Sequence, residues 1–114
     1  MFARLSALAV SALENLLTAL KSQVVIADGA MGTVLASRGL TMHGMSGPML
    51  NLLRPQFISA VHGEYIAAGA RFIETNTFGA LRPLLDAQNA GEKVVDVNAT
   101  GVRIARQAAR GIAW

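Results

Sequence analysis

The segment Val24-Val25-Ile26-Ala27-Asp28-Gly29-Ala30-Met31-Gly32-Thr33 changes the rhythm of the chain. Its first four residues make a short continuous apolar run, rich in β-branched side chains, that Asp28-Gly29 stops. Continuous rather than alternating apolarity describes a parallel strand covered on both faces. A buried strand is therefore expected here, delivering a carboxylate and a glycine turn at its C-terminal end. Upstream, Leu5, Leu8, Ala12, Leu13, Leu16, Leu17 and Leu20 recur at three- and four-residue steps, which describes one apolar helix face. Residues 1–21 are read as an N-terminal helical extension and residues 22–114 as the domain proper. Downstream, glycine and methionine crowd the stretch from Gly29 to Gly47, expected to be a loop with a short helix around Thr33 to Ser37.

Regular structure is expected again at Pro55, a first-turn proline. Phe57, Ile58, Val61, Tyr65 and Ile66 follow at helical spacing until Gly69, a C-terminal cap. Arg71-Phe72-Ile73-Glu74 then predicts a second strand, with Phe72 and Ile73 in the core and a polar end, Thr75-Asn76-Thr77, that mirrors Asp28. Between Glu92 and Arg110, Val94, Val97, Val102, Ala105 and Ala108 face one way and predict a last helix, and Gly111 to Trp114 reads as a cap and the start of a third strand. The order is βα alternation, hence an α/β fold with a parallel sheet. Open doubly wound sheets and closed (β/α)8 barrels both gather their chemistry at strand C-terminal ends. A closed barrel needs about 250 residues, so barrel sequence of this length supplies only the first two to three βα units.

Composition removes several functions. With 53% hydrophobic and 15% charged residues, the chain is too apolar to be disordered. It has no cysteine, so it supplies neither a disulfide nor a thiolate metal ligand. The charge of +3 comes from single bases spread between Arg4 and Arg110, with no dense patch for nucleic acid. Arg4 and the run Leu5 to Leu13 imitate an export signal poorly, because Glu14 and Asn15 interrupt it and Lys21 follows. No stretch of about 18 apolar residues is present to span a membrane. A cytoplasmic location is the expectation.

Two clusters can carry chemistry. Asp28-Gly29-Ala30-Met31-Gly32-Thr33 places a carboxylate beside backbone N–H groups that glycines leave approachable, which suits the zwitterionic end of an amino acid. The structural alternative is a turn in which Asp28 caps the following helix. Glu74-Thr75-Asn76-Thr77-Phe78-Gly79 is the second. Four consecutive polar residues after an apolar pair are read either as a site-lining Glu74 with hydrogen-bonding neighbours, the more economical account, or as a solvated loop. His62 reads as a residue of the helix after Pro55, His43 lacks a cluster around it, and Met31, Met42, Met45 and Met49 read as packing.

These motifs carry a resemblance. DGAMGT over 28–33 and ETNTFGA over 74–80 resemble the homocysteine S-methyltransferase family, and Leu50 to Pro55, Ala60-Val61-His62, Tyr65, Ala67 to Ala70, Val97-Asn98 and Gly101-Val102-Arg103 continue the likeness in order. It covers about Val24 to Ala109. The resemblance implies a (β/α)8 barrel that binds homocysteine at its mouth and transfers a methyl group to sulfur in methionine biosynthesis. It implies a zinc ion held by three cysteines, which keeps the thiol deprotonated. The donor it implies is one of betaine, S-methylmethionine, S-adenosylmethionine, or methylcobalamin recharged from a folate. Carried over by position, Asp28 and Gly29 meet the amino and carboxylate groups of homocysteine, while Glu74, Thr75, Asn76, Thr77 and Phe78 line the substrate mouth.

The departures bear on activity. The family's zinc cysteines lie on later strands, so this chain alone is expected to be inactive and activity to belong to the complete barrel, with the rest of its own barrel as a partner, whether the chain is truncated or separately encoded. Gly47-Pro48-Met49 stands where the family often carries acidic or polar residues. A noncatalytic module that binds homocysteine or another amino acid, or that complements a partial barrel, is the alternative.

Overall fold

The computed structural model describes residues 13–40, 47–110 and 112. Leu5, Leu8 and Ala12 of the expected first helix, His43, Met42 and Met45, and Gly111, Ala113 and Trp114 of the expected third strand lie outside them. The described elements are helix α1 over 13–22, α2 (Gly32–Ser37), α3 (Leu50–Leu53) entered through a 3-10 turn (Gly47–Met49), α4 (Pro55–Ala67), α5 (Arg82–Asp86), and α6 (Val94–Ala109) entered through a second 3-10 turn (Gly91–Lys93).

The expectation of an α/β fold, the first two to three βα units of a (β/α)8 barrel, is overturned. Among the described residues there is no strand and no sheet. The two stretches predicted as buried strands meet at one parallel bridge, Ala27 with Phe72. Arg71 N–H donates to Ile26 O at 2.8 Å and Asp28 N–H to Phe72 O at 2.8 Å, and there the ladder ends. Parallel pairing is weak per residue and is stabilised by further strands and by cover on both faces. Among the described residues no further strand joins these stretches. Val24 is 90% exposed, and Ile26 and Phe72 are exposed as well, so β-branched composition was read as burial that the described structure does not supply.

The helices follow their sequence signals closely. Pro55 starts α4 with a ring-fixed φ and no N–H to lose. At the other end Gly69, at φ 110°, lets Gly69 N–H bond Ile66 O and Ala70 N–H bond Tyr65 O, the paired 5→2 and 6→1 bonds of a Schellman ending. Gly39, at φ 70°, ends α2 in the same way, with bonds to Ala36 O and Leu35 O. Asn89 takes the left-handed position after α5, with Asn89 N–H on Asp86 O and Ala90 N–H on Leu85 O. Each ending turns the next residue back on the fold: Ala70 and Ala90 are buried, and Leu40 packs on the core.

Two apolar clusters hold the helices together. Leu35, Leu50, Ile58, Val61 and Ile104 join α2, α3, α4 and α6, while Met49, Ala80, Leu85, Ala90 and Val97 join the Gly47 turn, α5 and α6. Helix α6 buries Val97, Gly101, Ile104 and Ala105, an i, i+4, i+7, i+8 stripe. Of the predicted stripe, Val97 and Ala105 are buried and Val94 packs on the second cluster, whereas Val102 is exposed and Ile104 takes its place in the core. Gly101 joins the buried face because other side chains come too close for a Cβ there.

Candidate functional site

The bridge sets the register of the two polar clusters. Asp28 follows Ala27 and Glu74 lies two residues past Phe72, so the pairing carries both chain ends to one place. A side-chain bond completes it, as Glu74 N–H donates to Asp28 Oδ2 at 3.0 Å. Asp28 does not cap α2, whose N-cap is Met31 with no side-chain bond. From below, Tyr65 of α4 donates its hydroxyl to Ala30 O at 2.8 Å. Its ring also lies so close to Gly29 that a Cβ there would stand 3.1 Å from the phenolic oxygen. Gly29 thereby lets the turn rest directly on the helix.

The result is a cleft of about 320 Å³ with the turn from Asp28 to Gly32 on one side and Glu74, Thr75, Asn76 and Phe78 on the other. Six of the seven predicted residues, Asp28, Gly29, Glu74, Thr75, Asn76 and Phe78, line it. Thr77 does not. Its hydroxyl pairs with that of Thr75 at 2.7 Å, so it stands behind the wall. Phe78 is 98% exposed at the rim. The lining carries two carboxylates and no cationic side chain, which favours a ligand that brings a cation. A second cleft of similar size, between Leu13, Leu16, Phe72, Ile73, Ala109 and Ile112, has Arg71 as its one charged group and lacks a carboxylate to receive an ammonium.

The wall from Glu74 to Phe78 is irregular chain, and a buried amide pair anchors it. Asn76 donates its Nδ2 to Asn51 Oδ1 at 3.0 Å and to Gly47 O at 3.1 Å. Asn51 and Tyr65, which bond Asn76 and Ala30 of the lining, are the site-supporting residues to which the sequence alone gave no such role. The signal for Asn51 was present, as a single amide inside the apolar run Leu50 to Leu53.

His62 lies on the inner face of α4 between Val61 and Tyr65 and has no exposed surface. Neither ring nitrogen has a hydrogen-bond partner among the described residues. Burial pushes its pKa below the ordinary 6.5, partly opposed by the Asp28 charge. The folded state therefore binds fewer protons than the unfolded one between the depressed value and 6.5. This contribution to stability is complete above about pH 6.5 and is lost as the pH falls through the folded value. Denaturant unfolding from pH 8 to pH 5 should show a decline beginning below that point, and His62→Gln should flatten it. An equal decline in the variant would assign the acid sensitivity elsewhere.

Comparison with known proteins fits this geometry. The family model for homocysteine S-methyltransferase matches residues 25–113, both cleft segments included. The chain belongs to the homocysteine S-methyltransferase family. It is 37% identical over 100 residues to the methionine synthase of Mycobacterium tuberculosis and 38% to that of Mycobacterium leprae. It is 32% identical over 87 residues to the S-methylmethionine–homocysteine S-methyltransferase BHMT2 of Pongo abelii. The matches take in 83% of the chain but 8% of the methionine synthases, and 76% of the chain but 23% of BHMT2. The chain thus corresponds to a small part of each relative.

Members of this family are generally zinc-dependent, which makes the donor set here informative. The sequence has no cysteine, and the described residues hold no group of three or more His, Asp or Glu side chains able to bind a metal. These residues do not fit the family's thiolate zinc site.

Proposed function

We propose that the cleft holds the amino-acid end of L-homocysteine for a methyl transfer to sulfur that gives methionine. The observation that carries this reading is the Asp28–Glu74 juncture. Two segments that both belong to the family match are fastened by the bond from Glu74 N–H to Asp28 Oδ2 and enclose one acidic cleft. The second oxygen of Asp28 receives the ligand's ammonium, with Glu74 adding negative charge beside it. Backbone N–H groups of the Gly29–Gly32 turn serve the ligand carboxylate. Thr75 offers a hydroxyl from the opposite wall, and the Phe78 ring at the rim covers the methylene and sulfur end.

This part of the protein accordingly recognises and orients the methyl acceptor. The lining supplies no group that would make the thiol nucleophilic or hold the donor, whether a sulfonium, betaine or a methylated cobalamin. Retention of the amino-acid cleft without any thiolate ligand also accommodates a second reading, binding of homocysteine without transfer.

Calorimetric titration separates an amino-acid cleft from a generic acidic groove. L-Homocysteine should bind saturably, and 4-mercaptobutanoate, which lacks only the amino group, should bind about tenfold or more weakly, the size of a lost charge-assisted hydrogen bond. Equal affinity for the two would remove Asp28 and Glu74 from the ammonium role.

A further inference from the structure

Asn51 does not itself line the cleft, yet it is fully buried and both ends of its amide are engaged. Its Nδ2 donates to Asn76 O at 2.8 Å and to Val97 O at 3.1 Å, while its Oδ1 accepts from Asn76 Nδ2 at 3.0 Å. One planar side chain on α3 thus grips both the main chain and the side chain of Asn76 and fixes them to α6. The remaining Asn76 donor goes to Gly47 O, so the wall is tied at once to α3, α6 and the Gly47 turn.

The surroundings are shaped for this amide. A Cβ at Gly101 would stand 2.7 Å from Asn51 Nδ2 and 2.9 Å from Thr77 Cγ2, so the absence of a side chain there makes room for the pair. Thr77 passes the constraint on through its hydroxyl to Thr75, a lining residue. Two apolar clusters flank this place, and a hydrocarbon side chain at 51 would bury equally well. Only a group with two donors and an acceptor in one plane also sets the position of an irregular segment.

We propose that Asn51 is a positioning residue for the ligand cleft, holding the Thr75–Phe78 wall at its working distance from Asp28. Its effect on ligand rests on the homocysteine reading above; its effect on the wall does not. Asn51→Asp keeps the shape and the acceptor and loses both donors. Gly101→Ala leaves every partner in place and presses a methyl group on the Asn51 amide, so the two variants reach the clamp by different routes.

Hydrogen–deuterium exchange of the peptide over residues 73–81 is compared with that over 56–66 in α4, alongside L-homocysteine titration of the same samples. Loss of a buried hydrogen-bonded pair predicts exchange in 73–81 faster by about tenfold, with α4 changed less than about twofold, and a homocysteine Kd raised about tenfold. Exchange rising equally in both peptides, or in neither, would overturn the proposal, as would a loosened wall with unchanged Kd. If the unmodified protein binds no homocysteine, the functional reading fails, and the contrast between the two peptides alone decides the clamp. Should Asn51→Asp not fold, Gly101→Ala decides by the same two readouts.

Discussion

Asp28→Asn is expected to weaken L-homocysteine binding about thirtyfold or more while leaving the protein folded. The substitution retains an oxygen to accept Glu74 N–H, the bond that Asp28 makes at 3.0 Å, so the juncture between the two segments persists. What disappears is the negative charge facing the ligand ammonium. Removing one member of a desolvated, hydrogen-bonded charge pair costs about 2–5 kcal/mol, which corresponds to thirtyfold and upward. Glu74 shares the cleft but is exposed, where solvent screens its attraction, and Glu74→Gln should cost only about threefold. The ratio between the two variants is therefore diagnostic. Titration calorimetry measures it, and unchanged affinity in Asp28→Asn would remove this carboxylate from ligand recognition.

The second large effect concerns the fold. Leu35 has no exposed surface and lies in the cluster with Leu50, Ile58, Val61 and Ile104, so Leu35→Ala removes buried methyl groups and leaves a cavity where four helices meet. A loss of about 3 kcal/mol is expected. Val24→Ala provides the contrast. At 90% exposure it should change stability by less than about 0.5 kcal/mol, the usual range for an exposed position. A valine in a buried parallel strand would instead lose on the order of 1–2 kcal/mol from the missing methyl groups. Urea unfolding of the two variants distinguishes a helical assembly with an exposed bridge from the sheet that the sequence pattern implied. Equal, large losses would favour the buried strand.

What the sequence disclosed followed the range of the interactions involved. Helices α2, α4 and α6 were legible because proline starts, left-handed endings and i, i+3, i+4 spacing are local, and Pro55, Gly69 and the Thr33–Ser37 turn lie where those rules put them. The sheet was misread because Val24 to Ala27 shows β-branched composition but not whether anything covers it. Helix α5 went unassigned, since Arg82–Asp86 is only five residues long and ends on Asn89 rather than on glycine.

The cleft was legible as two separate motifs. The resemblance brought them to one mouth, but the contacts that join them were not legible, because the Ala27–Phe72 bridge and the Asp28–Glu74 bond link residues 45 and 46 positions apart. Thr77 was carried into the lining by its place in the ETNTFGA motif, whereas its hydroxyl turns to Thr75. His62 lies on the helix after Pro55 as its spacing implied, whereas the bonds of Asn51 to Asn76 and Val97 span 25 and 46 positions and leave no local mark beyond a single amide in an apolar run.

The most direct test of the amino-acid cleft maps backbone amide shifts of the ¹⁵N-labelled protein during titration with L-homocysteine. The account predicts saturable shifts concentrated at residues 28–32 and 74–78, following one binding curve, and absent in Asp28→Asn at the same ligand concentration. Saturable shifts centred on the apolar cleft beside Phe72 and Ile112, or none at all, would contradict it.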